Sequence, residues 1–280
     1  MAENILVGDI GSTKSTWWTN LEGNSVFSLT GFNPVAHDPQ VGVHMFEQLW
    51  QVTEGAKFSR IWYYGSGIVN DHVAGMVKES LLKFFPSAQV EVNSDLLGAA
   101  IAACAHRPGT IAILGTGSHA AVYDGKTIIR QANSLGYILG DEGGGSDIGK
   151  AMVQSYFYQQ MPTAISEVML EKIGPSRSEF LHKLYHAPAP NQFLAEFVSI
   201  AKQFEQDPWM IHLIRSRFNL FIINHLLPLH PTGPVQVVGS IGTIFAGLFR
   251  QEMSSAGLQT GEFIQDPSHR LFEMHLKYDQ

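Results

Sequence analysis

Short apolar and β-branched runs alternate over the first two-thirds of the chain with Gly-rich loops and stretches of helical character. The runs predict strands at Ile5–Gly8, Thr16–Asn20, Ser25–Thr30, Arg60–Tyr64, Val90–Val92, Thr110–Leu114, Ala120–Tyr123 and Thr127–Arg130. The stretches between them predict helices at Val41–Gln51, Asp71–Phe85, Ser94–His106 and Asp147–Gln160. Strands and helices that alternate in this way indicate an α/β fold.

The later part of the chain has a different pattern. From residue 155 to residue 229 it becomes mainly helical, as in "NQFLAEFVSIAKQF" and "WMIHLIRSRFNLFIINHLL". A further predicted strand, "PVQVVG", then leads through a Gly/Ser turn into a predicted helix, "IFAGLFRQEM". We therefore expect one α/β arrangement that is extended by a helical insertion.

Two segments follow the same plan of strand, hydroxyl-rich loop, strand and tight turn. The first is "ILVGDIGSTKSTWWTNLEGN" and the second is "IAILGTGSHAAVYDGK". Each has a Gly-Ser pair before its second strand, at Gly11-Ser12 and at Gly117-Ser118. Two ordinary hairpins would give a similar pattern, because Asp-Gly and Gly-Asn turns are common. The repetition favours two similar lobes that face each other across a cleft.

The two loops have a composition suited to polyphosphate. Glycine lets the backbone approach a ligand closely, and successive N–H groups in such bends form an anion-binding nest. Lys14 adds a cation, and hydroxyl donors come from Ser12, Thr13, Ser15, Thr116 and Ser118. Asp9 would repel a phosphate unless a divalent cation lay between them. We therefore interpret Asp9 as an acid on the Mg²⁺ side of the site, acting directly or through water.

Composition narrows the class of protein. The chain has 280 residues, 45% of them hydrophobic, which is enough for a sizeable core. The net charge of -7 argues against a nucleic-acid partner. The single cysteine, Cys104, excludes an internal disulfide and a multi-cysteine metal cluster. The N-terminus does not resemble a signal peptide and the apolar runs are too short to span a bilayer, so we expect a cytoplasmic protein with no membrane partner.

Four motifs together resemble a known family. "VGDIGSTKS", "ILGTGSHA", "LGYILGDEGGGSDIGK" and "VVGSIG" look like the two phosphate loops, the sugar-site loop and the adenosine loop of the actin/hexokinase/Hsp70 ATPase superfamily. Within it, the chain is most similar to the N-acetylglucosamine kinase-like branch, also called the BadF/BadG/BcrA/BcrD ATPase family. The motifs occur in the family's order over nearly the whole chain.

The resemblance implies an actin-like ATPase fold, with two ribonuclease-H-like lobes around an ATP cleft and added helices in the second lobe. The first lobe would cover residues 1–108, with the segment 268–280 packed back on it. The second would cover residues 109–267, with its helical insertion at about 155–229. The helical region has an apolar face that could form the interface of a homodimer.

The resemblance also implies a nucleotide site that uses ATP and Mg²⁺. The phosphates would be held by Gly11, Ser12, Thr13, Lys14, Gly115, Thr116, Gly117 and Ser118. Gly239 and Ser240, after the strand "VQVV", would lie by the adenosine. The alternative for this last pair is an ordinary strand-to-helix cap.

Asp95, in "VEVNSDLLGAA", matches the place where sugar kinases of this type have their general base. It would accept the proton of the sugar hydroxyl that attacks the γ-phosphoryl group. The alternative is that Ser94 and Asp95 only cap the helix that begins there. The two roles are compatible.

The remaining matches concern the sugar. Asn33, in "TGFNP", would contact sugar hydroxyls or the acetamide, and its alternative is an Asn-Pro turn. Asp141 and Glu142, in "GDEGGGSDIG", would lie on the sugar and metal side, with Gly136 allowing close approach. Their alternative is an acidic turn before a helix N-terminus, where acids are favourable in any case.

We expect an ATP-dependent kinase that phosphorylates an amino sugar, with N-acetylglucosamine or a close relative as the partner. The alternative within the family is an ATPase activator or nucleotide-dependent regulator without an iron–sulfur cluster, because one cysteine cannot supply the thiolates. A third hypothesis is an actin-type scaffold, although a binding-only protein has less need of Asp9, Asp95 and Asp141. The segment "GGSDIGKA" is not a Walker A loop, because Ala151 stands where Ser or Thr is required.

Overall fold

The computed structural model describes residues 4–12, 14–23 and 25–278, and the chain divides into two compact units. The first unit comprises residues 1–107, 125–127 and 266–280. The second comprises residues 108–124 and 128–265. Each unit contains its own sheet and its own hydrophobic core.

The sheet of the first unit has the strand order β3-β2-β1-β4-β5. Its strands are β1 (Ile5–Ile10), β2 (Lys14–Thr19), β3 (Val26–Thr30), β4 (Arg60–Gly65) and β5 (Gln89–Ser94). β1, β2 and β3 are antiparallel, whereas β4 and β5 run parallel to β1. The register pairs Ile10 with Gly65 and Gly65 with Ser94, so the carboxyl ends of β1, β4 and β5 meet at one edge.

Helices of the first unit cover the two faces of this sheet. They are α1 (Pro39–Val52), α2 (Asp71–Leu82) and α3 (Asp95–Cys104), with a C-terminal helix at Ser268–Tyr278. Alternate residues of β1 point to opposite faces, and Leu6 and Ile10 enter the core that includes Trp17, Phe46 and Tyr63. Gly8 packs directly against the Trp17 ring, and a side chain does not fit at this position because a Cβ would lie 2.6 Å from that ring.

The second unit repeats the same sheet topology. Its strands are β6 (Gly109–Leu114), β7 (Ser118–Tyr123), β8 (Ile128–Gln131), β9 (Val235–Val238) and β10 (Thr260–Ile264). They lie in the order β10-β9-β6-β7-β8, with β7 antiparallel to β6 and β8, and β9 parallel to β6 and β10. Read from the opposite edge, this is the order of the first sheet, which confirms the prediction of two similar units.

Helices make up most of the second unit. They are α4 (Gly136–Leu139), α5 (Gly145–Phe157), α6 (Thr163–Ile173), α7 (Arg177–Tyr185), α8 (Pro190–Ala195), α9 (Val198–Gln203), α10 (Pro208–Phe221), α11 (Ser240–Ile244) and α12 (Ala246–Ser255). A π-helical turn, Ile222–Leu226, and a 3₁₀ turn, Leu227–Leu229, continue α10. The C-terminal helix Ser268–Tyr278 is α13. Among the described residues, no helix combines the length and the apolar character needed to cross a bilayer.

The differences from the sequence-based elements are mostly at their ends. β1 extends to Ile10, so Asp9 lies within the strand rather than after it. The helix predicted at Asp147–Gln160 begins at Gly145 and ends at Phe157, and the helix predicted at "IFAGLFRQEM" corresponds to α12, whereas the Gly/Ser turn predicted before it forms the short helix α11. The sequence did not predict β10, because "TGEFI" is short, contains Gly261 and closely follows Gly257.

Candidate active site

The loop after β1 is closed by backbone hydrogen bonds. The N–H of Gly11 donates to the carbonyl oxygen of Lys14 at 3.0 Å, and the Gly11 carbonyl accepts the N–H of Phe32 at 3.0 Å. A Cβ at Gly11 would lie 3.2 Å from the Lys14 oxygen, so glycine suits this tight bend. Lys14 begins β2 with an exposed side chain. Thr13, the remaining predicted phosphate ligand of this loop, lies outside the described residues.

Ser12 and Asn33 meet beside this loop. Asn33 Nδ2 donates to Ser12 Oγ at 3.3 Å, and Ser12 Oγ lies 3.2 Å from Ser66 Oγ. Asn33 Oδ1 accepts the N–H of Val35 at 3.0 Å, so the same side chain also closes the Asn-Pro turn. Gly67, at φ +76°, approaches so closely that a Cβ there would lie 2.1 Å from Asn33 Oδ1. The structure thus brings the predicted sugar residue Asn33 to the first phosphate loop.

Asp95 is the first residue of α3, at the edge where β1, β4 and β5 end. Ser94 caps the helix, because its Oγ accepts the N–H of Leu97 at 3.3 Å. Asp95 Oδ1 accepts the N–H of Leu96 at 2.8 Å. Its side chain keeps exposed surface, yet the surrounding protein removes enough hydration to raise the pKa of the carboxyl, an effect that two backbone N–H groups partly offset. The capping role belongs to Ser94, which leaves the remaining lone pairs of Asp95 for a ligand.

Asp9 belongs to a group of acids in the first unit. Burial first, and then the charges of Asp95 and Asp266, raise the pKa of Asp9 from its ordinary value of 3.8 to about 7. Asp266 precedes α13, and its Oδ1 accepts the N–H of Ser268 at 2.9 Å. Sequence reasoning missed Asp266, although "DPSH" is a helix-start pattern that could have placed a carboxylate there. The charges of Asp95 and Asp266 thus make a negative surrounding for the Asp9 carboxyl, in which its neutral form is favoured.

The acids of the first unit do not form a complete set of metal ligands. Within residues 4–12, 14–23 and 25–278, no three acidic, imidazole or thiol groups lie close enough to ligate one metal ion directly. Mg²⁺ retains several water ligands and is usually bound through one or two carboxylates together with substrate phosphates.

The second phosphate loop, Gly115 to Ser118, is joined to the start of α5. The N–H groups of Gly145 and Ser146 donate to the carbonyl oxygens of Gly115 and Thr116, both at 2.8 Å. A Cβ at Gly144 would lie 2.7 Å from the Gly117 carbonyl carbon, so this contact requires glycine. The hydroxyl oxygens of Ser118 and Ser146 are buried and have no hydrogen-bond partner within the described part of the chain. Buried hydroxyls without a partner favour a polar ligand at this loop.

Asp141 lies against the same loop. Its Oδ1 accepts the N–H of Ser118 at 3.4 Å, a long contact, and its backbone adopts φ +60°. Burial raises the pKa of Asp141, the Ser118 N–H lowers it, and Glu142 raises it further, with a net increase. A non-glycine residue held in the left-handed region beside a ligand loop is typical of a functional site.

The Glu142 carboxylate is held by two adjacent residues of the segment that follows α10. Its Oε2 lies 2.8 Å from His225 Nε2, and its Oε1 accepts a hydrogen bond from Asn224 Nδ2 at 2.9 Å. Burial raises the pKa of Glu142, but the bonds from His225, from its own backbone N–H and from Asn224 outweigh it, so the pKa is lowered. Sequence reasoning missed both partners, since each is more than eighty residues away.

Asp147 fixes the end of the same loop. It accepts a two-point bond from Arg217 at 2.7 and 2.8 Å, and the N–H of Gly143 at 3.0 Å. Lys150 donates to the carbonyl oxygen of Tyr137 at 3.2 Å. These contacts, with α5 beginning at Gly145, show that "GGSDIGKA" forms a helix start and not a Walker A loop.

Gly239 and Ser240 lie next to the second phosphate loop. Gly239 has φ +111°, and a Cβ there would lie 2.4 Å from the Leu114 carbonyl oxygen. Ser240 begins α11, so the pair also forms a strand-to-helix junction. Gly136 is exposed at φ +69° and begins α4, and its carbonyl oxygen accepts the N–H of Gly140 at 2.7 Å.

Comparison with known proteins adds an independent observation. No protein-family model and no curated protein matches the chain. Among solved structures, a "putative N-acetylglucosamine kinase" from Porphyromonas gingivalis is 31% identical, with a TM-score of 0.92 over 99% of this chain and 100% of that one. A second protein so described, from Chromobacterium violaceum, is 19% identical, with a TM-score of 0.75 over 97% and 98% of the two chains.

A more distant structure shares the fold. It is a ROK family glucokinase from Streptomyces griseus in complex with glucose and AMPPNP. It is 13% identical, with a TM-score of 0.53 over 94% of this chain and 93% of that one. The chain therefore has the actin-like ATPase fold that the sequence motifs implied.

Proposed function

Because the chain belongs to the N-acetylglucosamine kinase-like family of the actin/hexokinase/Hsp70 superfamily, we propose that it transfers the γ-phosphoryl group of ATP to a hydroxyl of an amino sugar. Membership of this family makes it an ATP-dependent sugar kinase. The proposed acceptor is N-acetylglucosamine or a close relative. The observation that carries the proposal is Asp95, a carboxylate of raised pKa at the same sheet edge as Asp9 and the first phosphate loop.

In this proposal the two hydroxyl-rich loops bind the phosphates of ATP. Gly11, Ser12, Thr13 and Lys14 supply N–H groups, hydroxyls and one cation. The loop Gly115–Ser118 supplies the buried, unpartnered hydroxyl of Ser118, and Ser146 adds a second from the start of α5. The adenosine lies by Gly239 and Ser240, where a side chain at position 239 would meet the backbone of Leu114.

Mg²⁺ supplies charge neutralisation when it is bound. Asp9, with the nearby charges of Asp95 and Asp266, would hold it through water. The cation would remove the mutual repulsion of these carboxylates, so that a polyphosphate can lie beside Asp9.

The proposed chemistry assigns one proton transfer to Asp95. Asp95 accepts the proton of the attacking sugar hydroxyl as its oxygen bonds to the γ-phosphorus, and the bond from that phosphorus to the β,γ-bridging oxygen of ATP breaks to release ADP. The loss of hydration raises the pKa of Asp95 and makes its carboxylate a stronger base than a fully hydrated aspartate. Asn33, Asp141, Glu142 and Gly136 are the proposed contacts that orient the sugar.

A coupled ADP-release assay over a panel of amino sugars tests the proposal. The panel holds N-acetylglucosamine, glucosamine and N-acetylmuramic acid, with glucose and no-sugar controls, each with ATP and Mg²⁺. We expect ADP release that depends on an amino sugar and a phosphorylated sugar detected by mass spectrometry. ADP release that is the same with and without every sugar would overturn the proposal.

The activator hypothesis has a separate test. Activators of this family bind an iron–sulfur cluster through cysteine thiolates. Cys104 is buried in α3, and burial raises its pKa to about 11, which disfavours a thiolate ligand. We expect the purified protein to contain no stoichiometric iron.

A further inference from the structure

Glu142 is held from one side by two adjacent residues. His225 Nε2 lies 2.8 Å from Oε2, and Asn224 Nδ2 lies 2.9 Å from Oε1. Each carboxylate oxygen therefore receives one hydrogen bond from the same short segment. An ionised carboxylate has about four lone-pair sites, so after these two bonds and the one from the Glu142 backbone N–H about one site remains for a ligand.

The backbone of this segment explains how two consecutive residues reach one carboxylate. Residues Ile222–Leu226 form a π-helical turn that follows α10. A π-helical turn is wider than an α-helical one, so neighbouring side chains diverge less around the axis. Such turns are rare and are frequently found at functional sites.

The His225 ring is fixed by packing as well as by its hydrogen bond. It is 3% exposed and stacks on Phe221, with centroids 5.1 Å apart and 20° between the ring planes. Nδ1 is buried and has no partner among the described residues. Because an ionised carboxylate can only accept hydrogen bonds, we assign Nε2–H of His225 as the donor in the bond to Glu142.

Helix α10, which the π-helical turn continues, also contacts the other end of the loop that begins at Glu142. Arg217, one or two turns earlier on α10, binds Asp147 at two points. Gly143 packs against α10, since a Cβ added at Gly143 would lie 3.2 Å from Phe221 Cβ. Both ends of the loop from Glu142 to Asp147 are thus held in place by contacts with α10 and the π-helical turn.

We propose that His225 and Asn224 are positioning residues that hold Glu142 ionised and in one orientation as an acceptor of hydrogen bonds from the sugar. This inference rests on the proposed function. The lowered pKa of Glu142 agrees with a carboxylate that is acceptor-only at neutral pH. A fixed acceptor recognises a sugar hydroxyl better than a mobile one, because less conformational freedom is lost on binding.

Steady-state kinetics of four variants test the inference. His225→Phe keeps the ring stacked on Phe221 but removes the donor, and we expect the KM for the sugar to rise ~10–100-fold while the KM for ATP changes less than about twofold. His225→Gln places an amide N–H near the position of Nε2, and we expect it to recover most of the affinity. Asn224→Ala, at an exposed position, should give a smaller increase of the same kind. His212→Phe, the same substitution at an exposed position on α10, should match the wild type.

A double-mutant cycle shows whether His225 acts through Glu142. In a Glu142→Gln background, His225→Phe should add less than about a twofold further increase in the sugar KM. Additive effects, or equal changes in the KM for sugar and for ATP, would overturn the inference. Melting temperatures are measured for every variant, and Asn224→Ala keeps the test decisive if His225→Phe does not fold.

The two proposals fail in different ways. A wild-type protein that phosphorylates no amino sugar removes the proposed function, and this inference with it. A wild-type protein that is active, with an unchanged sugar KM in His225→Phe and Asn224→Ala, removes only the inference.

Discussion

The backbone of Gly117 lies directly against the carboxylate of Asp141, so that a Cβ added at Gly117 would lie 2.7 Å from Asp141 Oδ2. Ser118, the next residue, donates its N–H to the same carboxylate at 3.4 Å. The second phosphate loop and the acidic loop of the second unit are therefore built as one surface. In the proposed ATP site, a phosphate that binds the Ser118 N–H would compete with Asp141 for it.

Replacement of Gly117 by alanine should damage this surface. The added methyl group would displace Asp141, and we expect ATP affinity to fall at least about tenfold, with a loss of stability of ~1–3 kcal/mol. Gly115→Ala is the matched control for stability, because a Cβ at Gly115 has no atom within 4 Å. Titration calorimetry and thermal unfolding measure the two effects. Equal melting temperatures for the two variants would contradict the tight packing of Gly117.

Asp95→Asn separates the catalytic role from the helix cap. Asparagine keeps the size of the side chain and removes a charge that is unfavourable next to Asp9, so the fold and ATP binding should remain intact. We expect turnover to fall ~10²–10⁴-fold if Asp95 is the general base. Single-turnover phosphorylation of the sugar measures this loss directly.

Ser94→Ala is the control for that experiment. Ser94 Oγ caps α3 by accepting the N–H of Leu97, and loss of such a cap costs ~0.5–2 kcal/mol. We expect a lower melting temperature with turnover within a few-fold of the wild type. Near-normal turnover in Asp95→Asn, or a catalytic loss in Ser94→Ala as large as in Asp95→Asn, would remove Asp95 from the role of base.

The raised pKa of Asp9 predicts how stability depends on pH. The folded protein binds this proton up to about pH 7, whereas the unfolded chain releases it near 3.8. The stabilisation is therefore complete below the unfolded value and is lost as the pH rises through about 7. At pH 8, Asp9→Asn should be more stable than the wild type by on the order of 1–3 kcal/mol, and at pH 4 the two should be equal.

The stability of the free wild type should fall as the pH rises, whereas its stabilisation by magnesium and nucleotide should increase. Because the ionised carboxylate is the form that attracts a cation, we expect Mg-ATP to stabilise the wild type more strongly at pH 8 than at pH 5.5. Asp9→Asn should lose most of this ligand-induced shift. Thermal unfolding at several pH values, with and without Mg-ATP, measures both trends, and a wild type whose stability is flat from pH 4 to 8 would contradict the raised pKa.

Much of the fold could be predicted from local patterns. The predicted strands Ile5–Gly8 and Val90–Val92 are short β-rich runs that lead into polar residues, and such runs in an alternating α/β pattern place their ends at one sheet edge. The repeated strand–loop–strand plan indicated two similar units, and the sheets have the same strand order. β10 was missed because its apolar content is low and its contact is with β9, a strand distant in sequence.

The contacts that complete the candidate site could not be predicted in the same way. His225 and Asn224 occur in an apolar helical run, where nothing local distinguishes them from surface residues. Only the π-helical turn and the packing of α10 bring them to Glu142. The position of Asp266 near Asp9 likewise depends on the return of α13 to the first sheet.

The docking of α13 supplies the last prediction. His275 is buried at the sheet surface, where Nε2 lies 2.8 Å from the hydroxyl of Tyr64 and the ring stacks on Trp62 with centroids 4.2 Å apart. His275→Ala would leave a cavity and remove the hydrogen bond to the Tyr64 hydroxyl, and we expect a loss of ~2–4 kcal/mol in urea unfolding. Lys277→Ala, at an exposed position on the same helix, should cost less than about 0.5 kcal/mol. Because α13 begins just after Asp266, looser docking should also weaken Mg-ATP binding below the melting temperature. A His275→Ala protein with unchanged stability would show that α13 does not hold Asp266 in place.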